Sequence, residues 1–130
     1  MGIVTILDEA PSGERFATRT LEVPAEQVTL RELIRSRIRS EVDEFNRNQA
    51  DVFRGLIQPT DTERVLNGYR LKVRRQLDWE NQYRKALEAF EKNGFFVIVD
   101  GQQVEKLDEF VPLRENSEVH FLKLVPLVGG

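Results

Sequence analysis

GQQVEKLDEFVPLRENSEVHFLKLVPLVGG, residues 101–130, carries an alternating strand and then two glycines. Within residues 117–124, Val119 and Phe121 fall on one face and His120 and Leu122 on the other, the two-residue period of a half-buried strand. Just upstream, residues 95–99 (FFVIV) form a second strong strand signal; Asp100-Gly101 is a turn dipeptide, and Gln103-Val104 supplies a short return strand. Past the last strand the chain reads Pro126-Leu127-Val128-Gly129-Gly130.

Working back toward the N-terminus, residues 3–7 are apolar and rich in β-branched side chains. After the turn-like Pro11-Ser12-Gly13, residues 16–23 alternate Leu21 and Val23 with Thr20 and Glu22. This predicts a hairpin, ended by Pro24. Thr29-Leu30-Arg31-Glu32 has the form of a capping box, with Val28 and Leu33 spaced as a hydrophobic staple. Leu30, Leu33, Ile34, Ile38, Val42 and Phe45 then make one apolar helical stripe, with Arg31, Arg35, Arg39 and Glu41 expected on the wet side. The next stretch, residues 46–59, has no firm assignment. Thr60-Asp61-Thr62-Glu63 is a second capping-box signature. Val65, Leu66, Tyr69, Val73, Leu77, Tyr83, Leu87 and Phe90 follow a helical period to Asn93-Gly94, so a long helix is expected, with a break at Asn67-Gly68.

The chain has 130 residues, room for one domain, and contains neither an internal repeat nor a low-complexity segment. With 19 basic and 22 acidic residues the net charge is −3, which gives no general attraction to nucleic acid. The absence of cysteine removes disulfides, thiol nucleophiles and cysteine-based zinc sites. The apolar run near the N-terminus meets Asp8 and Glu9 at once, unlike a signal peptide or membrane span, so no membrane partner and a cytoplasmic location are expected. His120 is the single histidine and has no carboxylate cluster near it in sequence; no metal site is expected. The acidic groups at residues 8–9 and 105–109 and the basic stretch at 70–75 read as solvated faces.

These landmarks resemble the ubiquitin family in order and spacing. They are the strand entering Gly101, Gln103-Val104-Glu105 after it, Leu107 and Leu113 in the irregular stretch, Ser117 opening the last strand, and His120 within it. TLEV at residues 20–23, followed by a capped helix, looks like the family's second strand. The resemblance covers residues 3–46 and 95–130. It implies an α+β fold, the ubiquitin-like β-grasp with a mixed sheet packed on a helix. Residues 1–130 form one domain, with a helical insertion at 47–94 between the core helix and the third strand, and a flexible conjugation tail at 125–130. So large an insertion implies a divergent bacterial ubiquitin-like protein with dedicated enzymes, not ubiquitin itself.

The resemblance further implies a protein modifier, not an enzyme. An activating enzyme uses ATP and Mg to adenylate the Gly130 carboxylate, a conjugating enzyme transfers the chain to target proteins through an isopeptide bond, and a deconjugating protease removes it. No cofactor is bound by the modifier and no side chain of its own is catalytic. Gly129 and Gly130 let the backbone pass a narrow channel because they carry no side chain. Ile98, His120 and Leu122, together with Leu127 and Val128, are the expected partner-binding residues; an exposed apolar cluster commonly marks a protein-binding site. The tail lacks arginine, which favours a dedicated set of enzymes. Two other functions fit the same ending. One is a β-grasp sulfur carrier that forms a C-terminal thiocarboxylate, and the other a non-covalent β-grasp interaction module. The insertion itself reads either as a lid over the core or as a specificity element, with Trp79, off the main stripe, a candidate contact.

Overall fold

The computed structural model describes residues 2–23, 27–66 and 68–124. β1 (Gly2–Glu9) and β2 (Arg15–Val23) pair antiparallel. β3 (Val28–Thr29) leads directly into α1 (Leu30–Asn48). Thr29 and Glu32 form the reciprocal cap: the Glu32 amide donates to the Thr29 hydroxyl and the Thr29 amide to the Glu32 carboxylate, each at 3.2 Å. The six apolar residues of the expected stripe are all buried.

After α1 come the short strands β4 (Val52–Phe53), β5 (Thr62–Val65) and β6 (Gly68–Leu71), then α2 (Trp79–Glu91). β7 (Phe95–Val99) and β8 (Gln102–Val104) follow as a hairpin. Its turn residues Asp100 and Gly101 both have positive φ, 47° and 85°, the backbone that an Asp-Gly pair accepts readily. β9 (Phe110–Val111) pairs with β3, and β10 (Glu118–Lys123) is the last strand.

The main sheet has five strands in the order β2-β1-β10-β7-β8. It is mixed: β1 and β10 run parallel, and the other pairs are antiparallel. Val4, Ile6, Leu21, Val97, Val99, Val119 and Phe121 fill its inner face, covered by α1, in an α+β arrangement. Among the described residues no helix is long and apolar enough to cross a membrane.

Two expectations require correction. Glu41 does not face water. It lies at helical spacing on the buried side with Arg37, a fully buried guanidinium that grips both Asp8 carboxylate oxygens at 2.5 and 2.6 Å and the Glu41 carboxylate at 3.2 Å. The same guanidinium stands 4.5 Å over the Phe121 ring. Burial by itself would lower the Arg37 pKa, but the Glu41 and Asp8 carboxylates outweigh it and hold the pKa above the ordinary arginine value. Charge thus enters the core because it is paired on both sides.

The second correction concerns the insertion, which is not wholly helical. Asp61 has positive φ, and the residues expected to begin a long helix instead form β5 and β6, paired with Val65 opposite Gly68. Tyr69 and Leu71 are buried and Arg70 is exposed, a two-residue period, while Leu66 and Val73 are 88% and 69% exposed where a helical stripe would have buried them. Gly68 passes so close to β4 that a Cβ there would lie 2.7 Å from Val52 Cγ1 and 3.0 Å from the Phe53 carbonyl oxygen. A strand with glycine at this crossing fits, whereas a continuous helix does not. Helix begins only at Trp79, capped by Asp78, and ends where Asn93 turns left-handed and the Gly94 amide reaches back to Ala89 O at 2.7 Å.

Candidate functional site

The outer face of the main sheet is set by the pleat. Because Val97, Val99, Val119 and Phe121 point into the core, their neighbours Phe96, Ile98, His120 and Leu122 point away from it. Register then decides which of these meet. Ile98 lies directly opposite His120, and Leu122 opposite Phe96, on adjacent strands. On its other side His120 is level with Leu7 of β1. The sequence-predicted residues Ile98, His120 and Leu122 therefore share one half-buried apolar band with Phe96, beside the buried Leu7. Phe96 was readable from the FFVIV alternation. Leu7 was not, because its place beside His120 depends on a parallel pairing that no local signal encodes.

His120 is held in this band by acids. Its Nδ1 meets the Glu9 carboxylate, and its Nε2 lies 3.5 Å from Glu118 Oε1. Glu22, opposite Ile3, adds a further carboxylate to the same face. Among the described residues no group of three or more His, Cys, Asp or Glu side chains is arranged to hold a metal ion.

At the end of β10 the last strand meets the insertion. The Leu124 amide donates to Gly94 O at 3.1 Å, and the Lys123 ammonium stands 5.7 Å from the centre of the Tyr69 ring. A cavity of about 440 Å³ opens here, with Arg54, Arg64, Leu66, Tyr69, Lys123 and Leu124 in its wall. Nothing at the sequence level singled out Arg54 or Arg64, because both belong to a segment whose elements were assigned to the wrong period or left unassigned. The four tail residues singled out from the sequence, Leu127, Val128, Gly129 and Gly130, lie outside the described residues.

Trp79 is not held out to solvent. It packs on α1 with the guanidinium groups of Arg35 and Arg39 at 5.0 and 4.9 Å from its ring, and so joins α2 to α1. No protein-family model matches the chain, and no curated protein and no solved structure matches it either.

Proposed function

We propose that this chain is a ubiquitin-like modifier of the β-grasp type, activated at its Gly130 carboxylate and joined to target proteins. The observation that carries the reading is the parallel pairing of the first and last strands at the middle of the sheet, flanked by the β1–β2 and β7–β8 hairpins, with α1 on one side. That arrangement supports the β-grasp reading, and it gives β10 a fixed seat from which the following residues can be presented to a partner.

The chemistry falls to the partners. The carboxylate of Gly130 attacks the α-phosphate of ATP and pyrophosphate leaves. A cysteine thiolate of the activating enzyme then displaces AMP, giving a thioester. After transfer to a conjugating enzyme, an amine of the target displaces the thiolate and an isopeptide bond forms. The chain contributes the acyl group and recognition surfaces: the band of Ile98, His120 and Leu122, together with Leu127 and Val128 of the tail. A cytoplasmic setting, with ATP and Mg at hand, suits this sequence of steps, and a deconjugating protease would reverse the last one.

The test is incubation with ATP, magnesium and a candidate activating enzyme, read by intact mass. A thioester or isopeptide adduct is expected for the full chain and none when Gly130 is deleted, with the thermal transition of the truncated protein unchanged. A mass gain of one sulfur in place of oxygen would identify a sulfur carrier instead. Attachment of the truncated protein to targets would refute the C-terminal mechanism.

A further inference from the structure

We propose that the groove beside the end of β10 is a docking site for an acidic, leucine-bearing segment of the protein that engages the tail; the identity of that partner rests on the modifier reading above. The first observation is placement. The insertion leaves α1 and returns to β7 at the same end of the sheet where β10 finishes, and the Leu124 amide bonds to the insertion's last residue, Gly94. A partner that engages the chain at Leu124 meets this wall.

The second observation is charge. In a chain of net charge −3, this cavity is lined by Arg54, Arg64 and Lys123. Of the two carboxylates in its wall, Asp8 is already committed to Arg37, which leaves Glu14 against three cations. Among the described residues neither Arg54 nor Arg64 has a carboxylate within ion-pair distance. The outer face of the sheet has an excess of the opposite sign, with Glu9, Glu22 and Glu118 against Arg15, so an acidic segment is steered to the groove and away from that face.

The third observation is the apolar component. Leu66, 88% exposed, stands at the end of the β5–β6 hairpin, and Val65, Ile57 and Tyr69 continue an apolar wall inward. The volume of about 440 Å³ is enough for one or two leucine-sized side chains. Cations at the rim with an apolar floor call for a segment that alternates acid and leucine.

The experiment is an amide-shift titration of the isotope-labelled full chain with the peptide DLEELD, and separately with KLKKLK. Saturable shifts at Arg54, Leu66, Tyr69 and Lys123 are expected with the acidic peptide alone. The double variant Arg54→Glu/Arg64→Glu should bind it about tenfold more weakly, with the remaining spectrum unchanged. The proposal is overturned if no saturable binding occurs, if both peptides bind alike, if the shifts centre on Ile98 and His120, or if the double variant binds as tightly as the parent. Concentration-dependent shifts of the same amides without peptide would assign the groove to a second copy of the chain and would equally overturn it. Neither ATP nor Gly130 takes part, so failure here leaves the modifier reading intact, and failure of conjugation leaves this groove intact.

Discussion

The sheet with α1 and the segment between Gln49 and Gly94 are assembled by different means. In the first, long elements bury continuous apolar faces, and the buried charges are gathered in one internal cluster of Asp8, Arg37 and Glu41. In the second, strands of two to four residues are fixed by side chains that reach across to backbone groups. Asn46 both donates to Leu77 O at 2.9 Å and accepts from Leu77 N at 2.8 Å. Buried Gln82 donates to Ile57 O at 2.8 Å, and Arg19 of β2 donates to Arg54 O at 3.0 Å. Glu41 belongs to both regions, since one carboxylate oxygen accepts from Arg37 and the other accepts from Leu56 N at 3.0 Å. The insertion is therefore moored to the core through the core's own ion cluster, and the two regions should unfold together.

Arg37→Ala tests that mooring most severely. It leaves Asp8 buried without its cation and Glu41 with only Arg19, 3.7 Å away, and a loss of about 3–5 kcal/mol is expected from denaturant unfolding. A single transition is expected to remain; amides of the insertion that exchange as before while those of the sheet open would show that the two regions are not coupled. Gly68→Ala comes next. Its Cβ would meet Val52 and the Phe53 carbonyl, so about 1–3 kcal/mol should be lost. Hydrogen exchange should rise first at Tyr69 and Leu71; a first rise in β1 or β10 would deny the insertion its own local structure. Thr29→Ala removes one cap of α1 in the other region and should cost about 1 kcal/mol, measured by thermal unfolding. Leu66→Ser changes an exposed side chain and should stay within about 0.5 kcal/mol. A larger loss would mean that Leu66 is covered by something in solution.

The same contrast explains what could be read beforehand. The capping box at Thr29, the stripe from Leu30 to Phe45 and the alternation of residues 95–99 and 117–124 are local statements about period and backbone, and each corresponds to an observed element. Ile98, His120 and Leu122 were brought onto one face by that alternation alone. The insertion could not be read this way. Between Val65 and Val73 the apolar residues are too few to separate a period of two from one near four, and Gly68 is fixed by its approach to Val52, far away in the argument of any local window. The burial of Arg37, and of Glu41 that the helical period puts on the wet side, is hidden for a related reason: a charge on the inner face makes sense only once Asp8 of a distant strand is known to be there.

The most direct test of the central claim is to express the chain with an N-terminal affinity tag, digest its purified conjugates with trypsin, and sequence the branched peptides. Cleavage after Lys123 would leave the remnant LVPLVGG, residues 124–130, on each acceptor lysine. The account predicts this remnant joined through Gly130 and lost when that residue is deleted. Recovery of only the unmodified chain under conditions where an activating enzyme is present and turning over ATP, or attachment through any other residue, would contradict it.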